Sequence, residues 1–303
     1  MAAPERIGVI DLGTNTFHLL IVETQSGLPF REIYRERRFI KLAEGGIETI
    51  SDAAFERALI TVVAFRRILE EQQVKKLRAL GTAALRTASN GPQFVEAVFR
   101  ETGIKIELIT GDREAVLIHK GVAQAVPLQS EADLIMDIGG GSVEFILANK
   151  TQVFWAESFP VGVAVLYHRF HGEDPISSGA IADLEHFLSR KLANVWIKAR
   201  EINPQRLIGA SGTFDVLENI LVQEKAHPRH SIIDIDPFYP LAEKFIRATL
   251  AERLQIEGLP ASRADMIVVA VILIRVVLQQ LALQKIVISE YAMKEGLIAE
   301  LSA

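Results

Sequence analysis

The chain contains no cysteine among its 303 residues, which excludes disulfide bonds, cysteine-ligated zinc, iron–sulfur clusters and a thiol nucleophile. It also lacks a long hydrophobic run. The most apolar stretch, Met266–Leu283, contains the eight-residue apolar run Ile267–Ile274 before Arg275, whereas a membrane-spanning helix needs about 20. The first six residues lack the charged region and apolar core of a secretory signal. These absences predict a cytoplasmic protein without a membrane span.

An excess of positive charge is also missing. The 33 Lys and Arg residues are outnumbered by 38 Asp and Glu, which leaves a net charge of −5. A nonspecific nucleic-acid binder usually has a strongly basic face, so no nucleic-acid partner is expected. With 49% hydrophobic and 23% charged residues, the composition is that of a folded globular protein. The length predicts about two domains.

Short apolar runs alternate with longer amphipathic stretches, a pattern typical of an α/β fold. The predicted strands are Ile7–Asp11, Phe17–Glu23, Leu77–Thr82, Ile104–Thr110, Asp133–Asp137, Val143–Ala148, Val153–Glu157, Leu207–Ala210 and Ile286–Ser289. The predicted helices are Ser51–Gln73 (with Ser51 as N-cap), Gly91–Thr102, Asp112–Val126, Ser178–Ile202, Thr213–Glu224, Pro240–Leu254 and Arg263–Leu283. Between the two halves, Pro127–Glu131 is the best candidate for a hinge.

The sequence contains an internal repeat. A shift of 126 positions places Ile7–Ile21 on Asp133–Leu147. The aligned residues include an Asp, a Gly and a hydroxyl residue in each copy: Asp11, Gly13 and Thr16, then Asp137, Gly139 and Ser142. Each copy predicts a β-hairpin with a glycine-rich tip, and successive N–H groups in such turns bind anions. The chain is therefore expected to be a duplicated domain whose two tips clamp a phosphate.

The second tip carries the stronger chemical signal. Its three glycines, Gly139, Gly140 and Gly141, let the backbone approach a ligand closely. Ser142 can donate to a phosphate oxygen, while Asp137 and Glu144 offer the oxygen ligands that Mg²⁺ prefers. The alternative is a floppy hairpin turn without function, because short glycine motifs recur by chance.

Three further candidates have ordinary structural alternatives. The turn Ser211, Gly212 and Thr213 precedes a helix and could bind an anion, or it could be a simple strand-to-helix turn with a hydroxyl cap. Glu114 lies in the first turn of a predicted helix, where an acid also stabilises the helix dipole, with Asp112 as N-cap. Arg86 follows a strand and could balance phosphate charge or lie on the surface.

A basic segment, Tyr34–Lys41, contains Arg35, Arg37, Arg38 and Lys41. These side chains could line the path of a polyanion. A solvated strand face is at least as good an interpretation.

Six ordered motifs give the sequence a family resemblance. They begin at Asp11 (DLGTNTFH), Gly81 (GT, then Leu85-Arg86), Thr110 (TGDREA), Asp137 (DIGGGSVE), Gly209 (GASGT) and Arg263 (RAD). In order and spacing they resemble the exopolyphosphatase / guanosine pentaphosphate phosphohydrolase (Ppx/GppA) family of the actin-like ATPase superfamily. The resemblance implies two actin-like, ribonuclease-H-type α/β domains with an interdomain cleft, the second of them rich in helix. We expect domains at 1–122 and 123–303, with a C-terminal helix at about 290–303 that could return to the first domain.

The resemblance also implies an activity: Mg²⁺-dependent hydrolysis of the terminal phosphoanhydride of inorganic polyphosphate. The first alternative substrate is guanosine pentaphosphate (pppGpp), and a further alternative is an actin-like kinase or a non-hydrolytic nucleotide or polyphosphate sensor. The family's pattern makes Glu114 the base that activates water, with Arg86 balancing charge, and makes Asp137 and Glu144 the metal-associated carboxylates. The implied phosphate-binding residues are Asp11, Gly13, Thr14, Asn15, Gly139, Gly140, Gly141, Ser142, Ser211, Gly212 and Thr213.

Three positions depart from the family pattern. Arg113 stands where many relatives have a second acidic residue, and Ala292 and Lys294 stand where relatives usually have Gly and Arg. Separately, the apolar helix predicted over Arg263–Leu283 favours a helix-mediated homodimer.

Overall fold

The computed structural model describes residues 4–25 and 29–302. In chain order the strands are β1 (Glu5–Leu12), β2 (Thr16–Thr24), β3 (Arg31–Phe39), β4 (Lys76–Gly81), β5 (Ile106–Leu108), β6 (Asp133–Ile138), β7 (Val143–Ala148), β8 (Val153–Phe159), β9 (Leu207–Ala210), β10 (His230–Asp234) and β11 (Lys285–Ser289). The helices are α1 (Asp52–Glu71), α2 (Ala83–Thr87), α3 (Gly91–Thr102), α4 (Gly111–Ala125), α5 (Val163–Phe170), α6 (Ser178–Lys191), α7 (Ala193–Ile202), α8 (Gly212–Leu221), α9 (Phe238–Arg247), α10 (Leu250–Arg253), α11 (Ile267–Leu281) and α12 (Met293–Ser302), with a 3₁₀ turn at Ala261–Arg263. The chain divides into two units: unit 1 comprises Met1–Gly121 and Met293–Ala303, and unit 2 comprises Val122–Ala292.

Unit 1 is built on a five-stranded sheet of order β3-β2-β1-β4-β5. The first three strands are antiparallel neighbours, and β4 and β5 run parallel to β1. Helices α1 and α3 pack together over a core that includes Phe17, Phe65 and Phe94. Ser51 accepts a hydrogen bond from the N–H of Ala54, so its predicted role as the N-cap of α1 is confirmed.

Unit 2 repeats this architecture. Its sheet has the order β8-β7-β6-β9-β11-β10. As in unit 1, the first three strands are antiparallel and the next two are parallel to the central strand; β10 is an added antiparallel edge strand. The predicted duplication and the α/β class with actin-like, ribonuclease-H-type sheets are therefore confirmed, and helices α5 to α11 make unit 2 the helix-rich one.

Helix α11 lies at the centre of the helical layer of unit 2. Eleven of its residues are buried, and it packs against α5, α6, α7 and α9 of the same unit. The prediction that this helix forms a dimer interface is therefore wrong, because other helices of unit 2 already cover its apolar face. Within the described ranges 4–25 and 29–302, no helix has both the length and the apolar character needed to cross a membrane.

Several element boundaries differ from the sequence prediction. The helix predicted over Ser178–Ile202 is two helices that meet at Leu192, and the one predicted over Pro240–Leu254 is interrupted between α9 and α10. The strand predicted over Ile104–Thr110 is shorter. Strands β3 and β10 and helices α2 and α5 were not predicted. Strand β3 (REIYRERRF) is dominated by charged residues and has no apolar run, and the other three are short without a complete amphipathic pattern.

Candidate active site

The two repeated hairpins close in the same way. At the tip between β1 and β2 the N–H of Gly13 donates to the carbonyl of Thr16 at 3.0 Å. At the tip between β6 and β7 the N–H of Gly139 donates to the carbonyl of Ser142 at 3.0 Å. A Cβ at either glycine would lie 2.9 Å from the accepting oxygen. Each turn therefore requires glycine at this position.

In unit 1 the carbonyl groups of the tip are held from one side. The carbonyl of Thr14 accepts from the N–H of Leu42 at 2.8 Å, and the carbonyl of Asn15 accepts from those of Ile40 and Lys41 at 2.8 and 3.0 Å. Residues 40–42 directly follow β3. The strand next to the hairpin thus leads into the segment that fixes its tip.

In unit 2 the segment after β8 does the same. The N–H groups of residues 162–164, at the start of α5, donate to the three glycine carbonyls: Val163 to Gly139, Ala164 to Gly140 and Gly162 to Gly141, at 3.0, 2.9 and 3.3 Å. A Cβ at Gly162 would lie 2.4 to 2.5 Å from the backbone of Gly140 and Gly141. The loop is therefore not an unsupported hairpin turn.

These contacts determine where the tip N–H groups point. A trans peptide is planar, so its N–H points opposite to its carbonyl. Because the carbonyls of Gly139, Gly140 and Gly141 point at α5, the N–H groups of the next three residues, Gly140, Gly141 and Ser142, point away from it. By the same argument the N–H groups of Asn15 and Thr16 point away from residues 40–42. Successive N–H groups that are directed to one side of a tight turn can bind an anion.

Below the second tip two carboxylates face each other. Asp137 on β6 and Glu144 on β7 are direct cross-strand partners and are only 6% and 1% exposed. Glu144 Oε1 accepts from the hydroxyl of Ser158 at 2.7 Å, and Asp137 Oδ1 accepts from the hydroxyl of Ser211. Paired hydroxyl donors fix the orientation of both carboxylates. In unit 1 the equivalent cross-strand pair is Asp11 and His18.

The predicted turn Ser211, Gly212 and Thr213 joins β9 to α8. Ser211 has φ 71° and ψ 174°, a region that is almost exclusive to glycine and costs about 1–3 kcal/mol for other residues. Its hydroxyl bonds to Asp137 and makes no side-chain capping bond to α8, so the alternative of an ordinary hydroxyl cap is wrong. The turn therefore adjoins the carboxylate pair.

Arg263 is a residue to which the sequence argument gave no role. Its guanidinium lies directly over Gly212, where the position of a Cβ would be 1.6 Å from Nη2. The absence of a side chain at Gly212 therefore leaves room for the positively charged guanidinium of Arg263 at this turn. The sequence did signal this residue, because Arg263 begins the RAD motif of the family resemblance, but the motif was given no function.

Glu114 lies in the first turn of α4. Its N–H donates to the carbonyl of Thr110 at 3.0 Å, and the N–H of Arg113 donates to the hydroxyl of Thr110 at 3.2 Å. The N-cap is therefore Thr110, and the prediction of Asp112 as N-cap is wrong: Asp112 is exposed within the first turn.

Arg86 is exposed at the end of α2, and its Nη1 donates to the carbonyl of Ile109. This bond holds the guanidinium beside the turn that begins α4, the helix of Glu114. The hydroxyl of Thr14 accepts from the N–H of Ala84 at 3.2 Å, which ties the hairpin tip to α2. Unit 1 thus connects its tip, Arg86 and the helix of Glu114 through direct hydrogen bonds.

The basic segment 34–41 is largely neutralised. Arg35 pairs with Glu32 at 2.8 Å, and Arg38 pairs with Glu36 at 2.7 Å. These pairs favour a solvated strand face over a path for a polyanion.

Among the residues that the structure describes, no group of three or more His, Asp or Glu side chains could hold a metal by itself. Mg²⁺ does not require one, since it is commonly bound by one or two carboxylates together with water and substrate phosphates. The donor set of Asp137 and Glu144 therefore fits Mg²⁺ in the presence of a phosphate substrate.

A comparison of the chain with protein-family models agrees with this geometry. The model of the Ppx/GppA phosphatase family matches residues 20–302. The chain belongs to this family. Among solved structures, an exopolyphosphatase from Cytophaga hutchinsonii is 38% identical, covers 98% of each chain and superposes with a TM-score of 0.93. The Ppx/GppA enzyme of Aquifex aeolicus, 21% identical over 98% of this chain and 100% of its own, shares the fold with a TM-score of 0.81.

Membership confirms the resemblance based on the six motifs. It also makes the chain a hydrolase that acts on phosphoric anhydrides. The tips, the carboxylate pair and Glu114 lie on the fold shared with these Ppx/GppA proteins.

Proposed function

We propose that this Ppx/GppA protein is an exopolyphosphatase that releases orthophosphate from the end of inorganic polyphosphate in a Mg²⁺-dependent reaction. The observation that carries the proposal is the buried carboxylate pair, Asp137 and Glu144, at the base of a tip whose N–H groups point away from α5. The 38% identity to an exopolyphosphatase over 98% of both chains supports polyphosphate as the first substrate.

Asp137 and Glu144 would hold the Mg²⁺. When bound, the ion supplies positive charge to the phosphate oxygens on which negative charge accumulates during phosphoryl transfer. The hydroxyls of Ser158 and Ser211 keep the two carboxylates oriented. Such positioning donors are typical of the surroundings of metal ligands.

The peptide N–H groups of the two tips bind the nonbridging phosphate oxygens. In unit 2 these are the N–H groups of Gly140, Gly141 and Ser142, and in unit 1 those of Asn15 and Thr16, on the turn that Gly13, Thr14 and Asn15 form. Asp11 lies at the base of the first tip, and the turn Ser211, Gly212 and Thr213 provides further contacts. Fixed dipoles of this kind need no reorganisation during the reaction, which is why they stabilise a transition state effectively.

Glu114 orients the attacking water and accepts its proton. The water oxygen forms a bond to the terminal phosphorus while the bond to the bridging oxygen breaks, and the shortened chain leaves as its phosphate. Arg86, held at Ile109, balances the charge on the transferring group. Positioning and charge stabilisation account for most of the catalysis in this reaction class.

Release of orthophosphate from long polyphosphate, tripolyphosphate, pppGpp and ATP, with and without Mg²⁺, tests the proposal. The variants are Glu114→Gln and the control Glu107→Gln, which removes an exposed carboxylate that pairs with Arg78 on the sheet edge. We expect Mg²⁺-dependent release from polyphosphate, a loss of at least 100-fold in Glu114→Gln and no change in Glu107→Gln. Faster release from pppGpp than from polyphosphate would make pppGpp the preferred substrate. Release from ATP alone would support an actin-like protein that acts on ATP.

We infer a cytoplasmic location from the sequence. The apolar helix no longer supports a homodimer, since α11 is covered within unit 2, and a dimer would have to use another surface. Light scattering of the intact chain measures the oligomeric state.

A further inference from the structure

Helix α12 rests directly on α4, the helix that carries Glu114. A Cβ at Gly296 of α12 would lie 1.8 Å from the carbonyl oxygen of Leu117 and 2.9 Å from the nitrogen of Gly121. The two backbones are therefore in contact one turn after Glu114. No side chain larger than hydrogen fits between them, so α12 limits how far α4 can move.

A single carboxylate of α12 holds α4 at two further points. Glu300 Oε2 accepts from Nη1 of Arg113 at 3.1 Å and from Nζ of Lys120 at 2.6 Å, and Oε1 accepts from Nη2 of Arg113. Arg113 and Lys120 are seven residues apart, which places them on one face of α4. The hydrogen bonds from Arg113 and then Lys120 hold the pKa of Glu300 at about 2.

The same helix also fixes the other part of the unit 1 site. Glu295 of α12 is fully buried and pairs with Arg35 of β3 at 3.1 Å. Strand β3 leads into residues 40–42, which hold the carbonyls of Thr14 and Asn15. One helix therefore supports both the tip and the helix of Glu114.

We propose that Glu300 is a positioning residue for catalysis, which acts through Arg113 to fix the direction of the Glu114 side chain. The proposal rests on the role of Glu114 proposed above. Arg113 is the residue immediately before Glu114, and its planar guanidinium donates to both oxygens of the Glu300 carboxylate, a geometry that fixes angle as well as distance. A misplacement of about 1 Å at a catalytic group costs about 100-fold in rate. Loss of Glu300 removes no contact of the two hairpin tips and frees Arg113 in the first turn of α4 together with Lys120 further along it.

The test is steady-state kinetics of the intact chain with Glu300→Gln, Arg113→Gln and the double variant. The control is Glu70→Gln, which breaks the exposed pair of Glu70 with Arg66 on α1 at 2.8 Å. We expect a 5- to 20-fold fall in kcat with unchanged KM for each single variant and none for the control. The double variant should be no slower than the slower single one, because both changes remove the same interaction. A melting curve of each variant tests whether it is fully folded at the assay temperature. A lower kcat in a fully folded variant then reports the position of Glu114 and not a loss of folded protein.

Three outcomes overturn the proposal. The first is an unchanged kcat in Glu300→Gln while Glu114→Gln is inactive. The second is additive losses in the double variant. The third is a rise in KM confined to Arg113→Gln, which would make Arg113 a substrate ligand instead. If Glu114→Gln itself stays fully active, Glu114 is not the base, and the proposed function fails whatever the Glu300 variants do.

Discussion

Asp137 and Glu144 lie opposite each other on adjacent strands, and both are almost completely excluded from solvent. Two adjacent carboxylates on one face of a sheet repel each other when both are ionised, and a bound cation offsets that repulsion. Under the proposed function this cation is Mg²⁺.

Mg²⁺ should therefore stabilise the wild type. A ligand that binds only the folded state raises its stability by about 2.7 kcal/mol at 100 times the dissociation constant. We expect millimolar Mg²⁺ to raise the melting temperature of the wild type and to leave that of Asp137→Asn/Glu144→Gln unchanged. An equal Mg²⁺ shift in both proteins, measured by calorimetry, would place the ion elsewhere.

Gly162→Ala should damage the glycine loop. The added methyl would lie within 2.5 Å of the backbone of Gly140 and Gly141, and overpacking of this kind costs about 1–3 kcal/mol. We expect a lower melting temperature and at least a tenfold loss of phosphate release. The matched control is Gly179→Ala in α6, where nothing lies within 4 Å; helix propensity makes it neutral or slightly stabilising.

Ser211→Gly should separate stability from activity. Glycine adopts the backbone conformation of Ser211 without strain, whereas alanine does not. Ser211→Gly and Ser211→Ala lose the same hydroxyl bond to Asp137, so both should lower kcat, and Ser211→Gly should be the more stable of the two by about 1 kcal/mol. Ser158→Ala, which removes the hydroxyl on Glu144 without altering the backbone preference, should also lower kcat. Thermal melts and initial rates are measured on the same samples, and a Ser211→Gly variant less stable than Ser211→Ala would contradict the strain argument.

The pair of Glu300 with Arg113 predicts a pH dependence. Because the folded pKa of Glu300, about 2, lies below its ordinary value, its contribution is complete above about pH 4.5 and is lost as the pH falls toward 2. For a partly exposed side chain this amounts to about 0.5–1 kcal/mol. The melting temperature of Glu300→Gln should be lower than that of the wild type at pH 7, and the gap should narrow at pH 3. A gap that stays constant would mean that the charge of Glu300 does not contribute.

The hairpins could be predicted because their information is local. Gly13 and Gly139 each indicate a turn between two apolar runs, and their separation of 126 residues shows that the same turn occurs twice. The alternation of apolar residues then determines the strands on either side. The predicted β7 and β9 agree with the structure at both ends.

Features that depend on distant residues could not be predicted. The guanidinium of Arg263 lies on Gly212 across 51 positions of sequence, and the partner of Arg113 is Glu300. The break between α6 and α7 falls at Leu192, a fully buried residue, with neither proline nor glycine to mark it. The cap of α4 was misassigned because Thr110 and Asp112 are both good N-caps, and only the fold decides between them.

The discontinuity of unit 1 has a consequence for synthesis of the chain. Residues 293–302 form α12 and belong to unit 1, yet all of unit 2 lies between them and residue 121. A ribosome therefore synthesises every residue of unit 2 before it makes the last helix of unit 1. Domains fold as units as they emerge, so unit 1 stays incomplete until α12 has left the ribosome, although its first strands are the earliest part of the chain. Under the roles proposed above, a nascent chain should therefore hydrolyse no phosphate before translation has passed α12.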